Sequence, residues 1–383
     1  MGKKYITPEG TRDLVLGECK IKKNLQIQIE NILDKWGYNE VVTPTIEFYE
    51  TFNSGFQNLK EEEVYKFFDN KGRILVLRPD MTIPIARVVA TKFKDVSAPI
   101  RFRYSADVFR VNQSLGGKKN EYTDCGVELI GVKDASSDLE ILVTALDVLK
   151  ILEESEIKLE IGNINFFNSA VKNLNLKEEE RLRLAQLIDK KSLKELEDFL
   201  SQLKVTEEYK EFFTKLPWLF GGREVLEKAR EYSFNDELKD SIDYLEKLAS
   251  TLDELGYGDL ISFDLGMVQR LNYYTGITFR GYVEGVGAIA LSGGRYDNLI
   301  ALFGEDRPAV GFSINLDSLL DIMKDKNIDV KASYKLYYGN ENMVEAFKQG
   351  ESLRNEGYVV EMIFDENLVG EVKIKKVGER IWV

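Results

Sequence analysis

The sequence predicts an α+β fold in which helices flank a largely antiparallel sheet. Apolar residues recur at helical spacing from Ile21 to Trp36, which indicates a long amphipathic helix. A strand, a polar glycine-containing loop and a returning strand over residues 99–131 indicate an antiparallel strand pair. Strand patterns with glycine turns return over residues 260–294, after a long segment of helical periodicity.

The first half of the chain alternates short strands and helices. The helix that starts near Ile21 has its stop at Gly37, and a short strand then leads to Pro44. Residues 73–80 read as a strand that ends in a proline turn, followed by a helix over 84–93 with Pro84 in its first turn.

The second half adds an inserted helical module to this core. After the strand pair, a helix is predicted over 137–152 and a strand over 157–162. Dense Lys, Glu and Leu periodicity without a convincing strand predicts a helical insertion over about 175–255. The core closes at about residue 325 with a strand that runs into a helix.

The last segment, residues 332–383, predicts a small α/β piece. It contains a strand, a helix from Met343 to Asn355, a strand over 358–364 and a basic end. The predicted organisation is therefore a core of residues 1–325 and a C-terminal segment that is short for an independent domain.

Composition limits the classes of function. The chain has 383 residues, 44% hydrophobic and 31% charged, which is typical of a folded soluble protein. Its net charge of -13 disfavours a role dominated by tRNA, because nucleic-acid binding needs clustered Lys and Arg. The N-terminal segment lacks the apolar run of a signal peptide, so we expect a cytoplasmic protein without membrane spans.

Metal and disulfide chemistry are not expected. Cys19 and Cys125 are far apart in sequence and have no CxxC partner. The chain has no histidine, so it lacks a side chain with an unperturbed pKa near neutrality and cannot form a His-dependent catalytic triad.

The N-terminal region resembles motif 1 of histidyl-tRNA synthetases. The match is carried by GTRDL at residues 10–14, the long helix, and VVTPTIEFYETF at residues 41–52. In that family motif 1 forms the dimer interface, so the resemblance implies self-association through this region. Read alone, the GTRD stretch is a loop in which Asp13 caps a helix.

Another segment resembles part of the amino-acid site of histidyl-tRNA synthetases, which are class II aminoacyl-tRNA synthetases. LRPDMT at residues 77–82 is similar to LRPEGT, in which an acidic residue and a threonine receive the amino group of histidine; Asp80 and Thr82 occupy those places. A carboxylate beside a hydroxyl suits an ammonium group. Without this context, a turn stabilised by Asp80 is the simpler interpretation.

Residues 102–131 resemble motif 2, a strand, a loop and a returning strand. Arg110 takes the place of the arginine that holds the ATP α-phosphate, for which a permanently charged, bidentate guanidinium is suited. Glu128 matches a glutamate that faces the amino acid, and Asp124 replaces the expected glutamine. The alternative is an antiparallel hairpin with paired surface charges.

The activating arginines of the family are absent. Residues 263–279 resemble the histidine signature VRGLDYYT, but Gln269 stands at the arginine, and in motif 3 Ser318 stands at another. Neutral side chains cannot stabilise a reacting carboxylate and phosphate as a guanidinium does. Tyr274 is retained, as is Tyr296, which in the family helps to line the pocket for the histidine ring. We therefore expect no catalytic residue and no cofactor.

This pattern of losses resembles the regulatory subunits of ATP phosphoribosyltransferase. That resemblance implies a non-catalytic chain that pairs with a short-form catalytic subunit in a hetero-oligomer, in the first step of histidine biosynthesis. It also implies feedback inhibition with histidine as effector, and a truncated anticodon-binding-like C-terminal segment. The candidate histidine contacts are Asp80, Thr82, Arg110, Asp124, Glu128, Tyr274 and Tyr296.

Three questions remain open from sequence alone. A working histidyl-tRNA synthetase, or another amino-acid-activating enzyme, is one rival function. A tRNA-binding regulatory paralogue of the same fold is a second. The third question is whether histidine binds in the inherited pocket or at the boundary between subunits.

Overall fold

A computed structural model describes residues 6–55, 61–112, 119–152, 155–268, 273–323 and 333–377. Contacts divide the chain into two compact units. The first comprises Met1–Asp13 and Lys22–Ile322, and the second comprises Leu14–Ile21 and Met323–Val383.

The helices occur in both units. They are α1 Leu16–Lys35, α2 Tyr49–Gly55, α3 Thr82–Lys92, α4 Ala135–Leu149, α5 Ile164–Val171, α6 Glu178–Asp189, α7 Leu193–Gln202, α8 Glu207–Lys215, α9 Glu224–Glu231, α10 Asp236–Glu254, α11 Leu316–Met323 and α12 Met343–Asn355. Within the described residues, no helix is both long enough and apolar enough to cross a membrane.

The strands form one large sheet and two small ones. They are β1 Asn39–Glu40, β2 Ile46–Phe48, β3 Lys66–Phe68, β4 Ile74–Leu77, β5 Ile100–Phe109, β6 Glu121–Ile130, β7 Ile157–Asn163, β8 Phe220–Gly221, β9 Ile261–Asp264, β10 Ile277–Val283, β11 Leu291–Arg295, β12 Ala309–Asn315, β13 Ser333–Tyr338, β14 Val359–Phe364 and β15 Lys373–Val377.

The large sheet confirms the predicted fold class. Its strand order is β1-β5-β6-β12-β11-β10-β7-β9-β8. The neighbours from β5 to β7 are all antiparallel, whereas the outlying pairs β1–β5 and β7–β9 are parallel. Helices pack against this sheet, and α4 contacts β10 and β12.

The predicted strand pair forms the second and third strands of the large sheet, next to the edge strand β1. β5 and β6 pair along ten residues each, from Ile100 opposite Ile130 to Phe109 opposite Glu121. Every residue of β6 from Thr123 to Ile130 is buried, including the polar Thr123 and the acids Asp124 and Glu128. The loop between the two strands lies outside the described residues.

The N-terminal part of the core contains two elements that periodicity did not reveal. Helix α2 and strand β3 are seven and three residues long, too short to produce a clear period. β3 joins β2 and β4 in a small antiparallel sheet. Helix α3 begins at Thr82 and has Pro84 in its first turn, as predicted.

The predicted helical module contains α6 to α10, but the expectation that it holds no strand is wrong. Phe220 and Gly221 form β8, which pairs with β9 at the edge of the large sheet. A two-residue strand leaves no alternation in the sequence, so only the backbone pairing reveals it. Helix α10 packs on α5, which precedes the module.

The C-terminal unit contains a three-stranded sheet of order β14-β13-β15 with α12. Helix α12 spans the predicted Met343–Asn355. The basic end of the sequence is in part a strand, because β15 pairs antiparallel with β13. Its three lysines, which are uncommon in strands, concealed it. In this unit α1 begins at Leu16, before the predicted Ile21.

Candidate functional site

A cavity of about 270 Å³, here called the sheet cavity, lies over the middle of the large sheet. Strands β5, β6, β10, β11 and β12 and the start of α3 contribute to its walls. All seven candidate residues line it: Asp80, Thr82, Arg110, Asp124, Glu128, Tyr274 and Tyr296. Segments separated by more than 200 residues in sequence therefore meet around one space.

Glycines in the strands make room for this cavity. Gly311 of β12 lies opposite Glu128 of β6, and a Cβ at position 311 would overlap the Glu128 carboxyl and the Val127 carbonyl oxygen. A Cβ at Gly294 would lie 2.6 Å from the ring of Tyr274. Side chains at these positions would fill the space that the acidic and aromatic groups now occupy.

Glu128 is the most deeply buried acid of the cavity, at 2% exposure. Burial raises its pKa to about 8, although hydrogen bonds with Tyr296 and Thr82 oppose the shift. The Tyr296 hydroxyl donates to Glu128 Oε2. The carboxyl is therefore held largely protonated at neutral pH, and a cationic or hydrogen-donating ligand would favour its ionised form.

Asp80 follows β4 and lies at the start of α3. Its Oδ1 accepts a hydrogen bond from the backbone N–H of Ile83 at 3.1 Å. The simpler interpretation from sequence, a turn stabilised by Asp80, is thus present in the structure. The same turn brings the carboxylate into the cavity wall beside Thr82.

Arg110 follows β5, and a backbone carbonyl group holds its guanidinium in place. Its Nε donates to the carbonyl oxygen of Pro79 at 2.8 Å. Burial acts to lower its pKa, but the Tyr122 hydroxyl and the carboxylates of Asp80 and Asp124 outweigh burial and raise the pKa above its usual value. Arg110 therefore supplies a fixed positive charge beside the carboxylates of Asp80 and Asp124.

Tyrosines form the remaining wall. The rings of Tyr273 and Tyr296 stack with centroids 5.4 Å apart, and Tyr273 meets Tyr274 edge to face at 5.0 Å. Tyr104 also lines the cavity. Burial and the neighbouring Glu128 raise the pKa of Tyr104, Tyr273 and Tyr296, so these hydroxyls stay protonated. A planar ring with a polar edge fits such a wall.

Sequence reasoning missed Arg280, a second guanidinium in the cavity wall. Arg280 lies on β10, and its Nη2 is 3.1 Å from Asp189 Oδ1 at the end of α6. The available signal was strand alternation, because Thr278 and Arg280 share one face of β10. The pair connects the cavity to the helical module.

Two positions are predicted to have lost an arginine, and the described residues include one of them. Gln269 lies outside the described residues. Ser318 lies in α11, where its hydroxyl donates to the Asn315 carbonyl oxygen at 2.7 Å. It therefore serves the local helix start.

Sequence reasoning also did not predict that the neighbouring Asp317 lies at the centre of a group of ion pairs. Its carboxylate is buried and bonds to Lys22 Nζ at 2.9 Å and to the backbone N–H of Thr123 at 2.9 Å. Lys119 and Arg12 lie 3.6 and 3.8 Å from the other oxygen. Burial acts to raise the pKa of Asp317, but the bonds to Lys22 and Thr123 lower it overall.

Metal-binding chemistry has no visible support in the described part of the chain, which contains no group of three or more Cys, Asp or Glu side chains placed to hold an ion. Both cysteines are free thiols, with Cys19 exposed and Cys125 buried.

The chain resembles known proteins along nearly its whole length. Residues 10–319 match the histidyl-tRNA synthetase family. The chain is 40% identical over 370 residues to an ATP phosphoribosyltransferase regulatory subunit of Clostridium botulinum, covering 95% of this chain and 87% of that one. A regulatory subunit of the same name from Clostridium kluyveri is 42% identical over 374 residues, with 95% and 94% covered.

Solved structures agree with these matches. A structure from Bacillus halodurans, described as an ATP phosphoribosyltransferase regulatory subunit/histidyl-tRNA synthetase, has a TM-score of 0.86 and 31% identity, covering 97% of this chain and 95% of that one. Histidyl-tRNA synthetase from Nostoc shares the fold, with a TM-score of 0.77, 21% identity and coverage of 96% and 88%. The chain therefore belongs to the ATP phosphoribosyltransferase regulatory subunit family, which has the fold of histidyl-tRNA synthetases.

Proposed function

We propose that this chain is a non-catalytic regulatory subunit of ATP phosphoribosyltransferase. It activates a short-form catalytic subunit within a cytoplasmic hetero-oligomer, and it mediates feedback inhibition by binding L-histidine in the sheet cavity. The observation that carries the proposal is the meeting of all seven candidate residues around one cavity.

The groups of the cavity complement each part of histidine. Asp80 and Thr82 offer a carboxylate and a hydroxyl to the ammonium group. Arg110 offers a guanidinium to the carboxylate. Glu128 and the Tyr296 hydroxyl lie together beside the stacked tyrosine wall, where an imidazole ring would find both packing and a hydrogen-bond partner.

Amino-acid activation is not part of the proposed function. Activation requires positive charge at the reacting carboxylate and at the ATP phosphates. By resemblance to the synthetases, two positions that would supply it are Gln269 and Ser318. The hydroxyl of Ser318 is used within α11, and a neutral side chain cannot take over the task.

Regulation then follows from differential binding. Histidine inhibits only if it binds more tightly to the inhibited state of the complex than to the active state, and this difference is the coupling free energy. α3 is a natural element to respond, because Asp80 at its start touches both the cavity and the first turn of the helix.

Reconstitution with the short-form catalytic subunit tests the proposal. ATP phosphoribosyltransferase activity should require this chain and should fall when histidine is added. Asp80→Ala should leave activity in place and weaken histidine inhibition at least tenfold, because the ammonium loses its carboxylate. Asp95→Ala, which removes an exposed carboxylate just beyond α3, is the matched control. Histidine should inhibit the complex that contains it as strongly as the wild-type complex.

Two results would contradict the proposal. Inhibition by histidine that is unchanged in Asp80→Ala would place the effector outside the sheet cavity. Histidine-dependent exchange of pyrophosphate into ATP by the chain alone would identify an activating enzyme instead, and salt-dependent tRNA binding would support the tRNA-binding rival.

Self-association through residues 10–52 is also proposed. Apolar side chains in this region are exposed, with Val42 at 83%, Ile46 at 47% and Phe48 at 40%. Clustered apolar exposure of this kind favours a protein interface. Val42→Asp should shift the sedimentation coefficient towards that of the monomer, and an unchanged coefficient would exclude Val42 from the interface.

A further inference from the structure

We propose that an open cleft between α5, α6 and α10, here called the module cleft, is a second ligand site that binds a free α-amino acid by its ammonium and carboxylate groups. The cleft has a volume of about 830 Å³ and is lined largely by polar side chains. That volume lies within the roughly 300–1,000 Å³ usual for small-molecule sites. It is separate from the sheet cavity, since the two share no lining residue.

One buried acceptor and one exposed carboxylate in the module cleft favour a ligand that donates hydrogen bonds. Asn168 Oδ1 is buried and has no hydrogen-bond partner among the residues that the structure describes. Asp240 is an exposed carboxylate in the cleft wall that forms no ion pair within the same described ranges. An ammonium group carries three donors and a positive charge, so it suits both. The terminal amide torsion of Asn is soft, which lets Oδ1 turn towards a ligand.

The cations of the cleft suit a carboxylate. Lys172 Nζ lies 2.5 Å from Glu237, and Arg181 lies 3.7 Å from Glu178. Lys172 and Glu237 are both exposed, and exposed ion pairs contribute little net free energy. A ligand carboxylate can therefore bind Lys172 in exchange for its weakly held partner Glu237, which favours a zwitterion over a simple amine.

One path of hydrogen bonds and adjacent residues runs from the module cleft to the sheet cavity. The Tyr244 hydroxyl, in the cleft wall, donates to Asp138 Oδ2. The other oxygen of Asp138 accepts from Arg295 Nε at 2.9 Å and Nη2 at 2.6 Å. Arg295 immediately precedes Tyr296, whose hydroxyl donates to Glu128 in the sheet cavity.

A second path reaches the tyrosine wall. Asn165, also in the cleft wall, donates through Nδ2 to the Thr275 carbonyl oxygen at 3.1 Å. The Thr275 backbone N–H donates to the Arg295 carbonyl oxygen at 2.8 Å. Thr275 follows Tyr274, so both paths end at residues adjoining ligand contacts of the sheet cavity.

Through these paths, a ligand in the module cleft affects histidine binding in the sheet cavity. This part of the proposal rests on the proposed function. A ligand that reorients Tyr244 or Asn165 changes the positions of Tyr296 and Tyr274, and hence the affinity of the sheet cavity for histidine. The effect is reciprocal, because coupling between two binding sites acts equally in both directions.

Thermal unfolding of the full chain with each of the twenty α-amino acids tests the site. At least one should raise the midpoint, and its decarboxylated amine should raise it less. The shift should persist in Asp80→Ala, which removes a contact of the sheet cavity only. Asn168→Leu, which removes the unsatisfied acceptor without a large change of shape, should fold normally and weaken binding about tenfold or more.

Ser169→Ala is the matched control, because Ser169 lines the same cleft. It should keep most of the shift. Absence of any amino-acid-dependent shift in both wild type and Asp80→Ala would overturn the proposal. So would a shift that disappears in Asp80→Ala but survives in Asn168→Leu, since the ligand would then occupy the sheet cavity alone.

Calorimetry tests the coupling separately. Histidine affinity should change at least threefold when the module cleft is saturated, and Tyr244→Phe, which lacks the hydroxyl that bonds to Asp138, should abolish the change while keeping the thermal shift. If the ligand is histidine itself, the wild-type isotherm should be cooperative over two sites and the Tyr244→Phe isotherm non-cooperative. Unchanged coupling in Tyr244→Phe would exclude the Asp138 path.

Discussion

Two regions of the large sheet use charge in different ways: the sheet cavity around Glu128, and the surroundings of Asp317, here called the motif 3 side because the sequence there resembles motif 3. Around Glu128 the charged and polar groups face the sheet cavity, and burial raises the pKa of the acid to about 8. Around Asp317 the charges face one another: a buried carboxylate gathers Lys22, Lys119 and Arg12. The first arrangement is open to a ligand, whereas the second is completed by the chain itself.

Under the proposed function, this difference corresponds to a separation of ligand recognition from chemical activation within one fold. Recognition needs contacts that a bound amino acid can satisfy, and these face the sheet cavity. Activation needs uncommitted positive charge near the reacting atoms. On the motif 3 side, Lys22 is paired with Asp317 and the Ser318 hydroxyl bonds to the Asn315 carbonyl oxygen. Variants on the two sides therefore have different expected effects.

The largest expected effect comes from closing the sheet cavity. Gly311→Ala places a methyl group where the Glu128 carboxyl and the Val127 carbonyl oxygen now lie. We expect histidine affinity to fall at least a hundredfold and the free energy of unfolding to fall by about 3 kcal/mol, because the backbone must shift. Gly287→Ala is the control, since a Cβ there meets no atom within 4 Å. Calorimetry and urea unfolding measure both, and normal binding by Gly311→Ala would refute the proposed cavity.

The next largest effect is on the motif 3 side. Asp317→Ala leaves three cations around an empty position, so we expect the free energy of unfolding to fall by about 2–3 kcal/mol at neutral pH, less than for a fully buried pair because the cations are partly exposed. Because the pKa of Asp317 is lowered, its contribution is present at neutral pH and is lost as the pH falls through that pKa. Histidine affinity should change less than threefold. A larger loss would show that Asp317 also contributes to histidine binding in the sheet cavity.

A smaller effect concerns the pH dependence of stability. Glu128 is protonated in the folded chain up to about pH 8, whereas the unfolded chain releases this proton near the ordinary value of 4.5. Between these values folding takes up a proton, so the free energy of unfolding should fall by about 1 kcal/mol per pH unit as the pH rises. Glu128→Gln cannot titrate and should lack this slope. Parallel slopes in urea unfolding at pH 5.5, 6.5 and 7.5 would contradict the raised pKa.

The smallest effect is expected at Ser318. Ser318→Ala removes the bond to the Asn315 carbonyl oxygen and should lower the free energy of unfolding by about 0.5–1 kcal/mol. Histidine affinity and the activity of the reconstituted complex should stay unchanged, because the hydroxyl serves only α11. A loss of histidine binding would show that this position still contacts the ligand.

Much of the fold followed from the sequence because its long elements are periodic or carry family motifs. The strand pair β5–β6 and helix α12 lie where expected. Short elements could not be predicted from the sequence, because strands of two residues (β8) and three residues (β3) are too short to show a period. β15 was concealed by its lysines.

The grouping of residues around the sheet cavity was predictable where residue type and motif coincide, as at Asp80 and Glu128. Arg280 and Asp317 could not be assigned, because their roles arise from partners distant in sequence, Asp189 and Lys22. The raised pKa of Glu128 depends on burial, which composition does not report. The path from Tyr244 to Arg295 likewise exists only in three dimensions.

The most direct test of the central claim is a calorimetric titration of the full chain with L-histidine, for wild type and Asp80→Ala side by side. The predicted result is saturable binding by the wild type and affinity reduced at least tenfold in Asp80→Ala, with the Asp95→Ala control unchanged. Equal affinity in Asp80→Ala and wild type, or no binding by the wild type, would contradict histidine recognition in the sheet cavity.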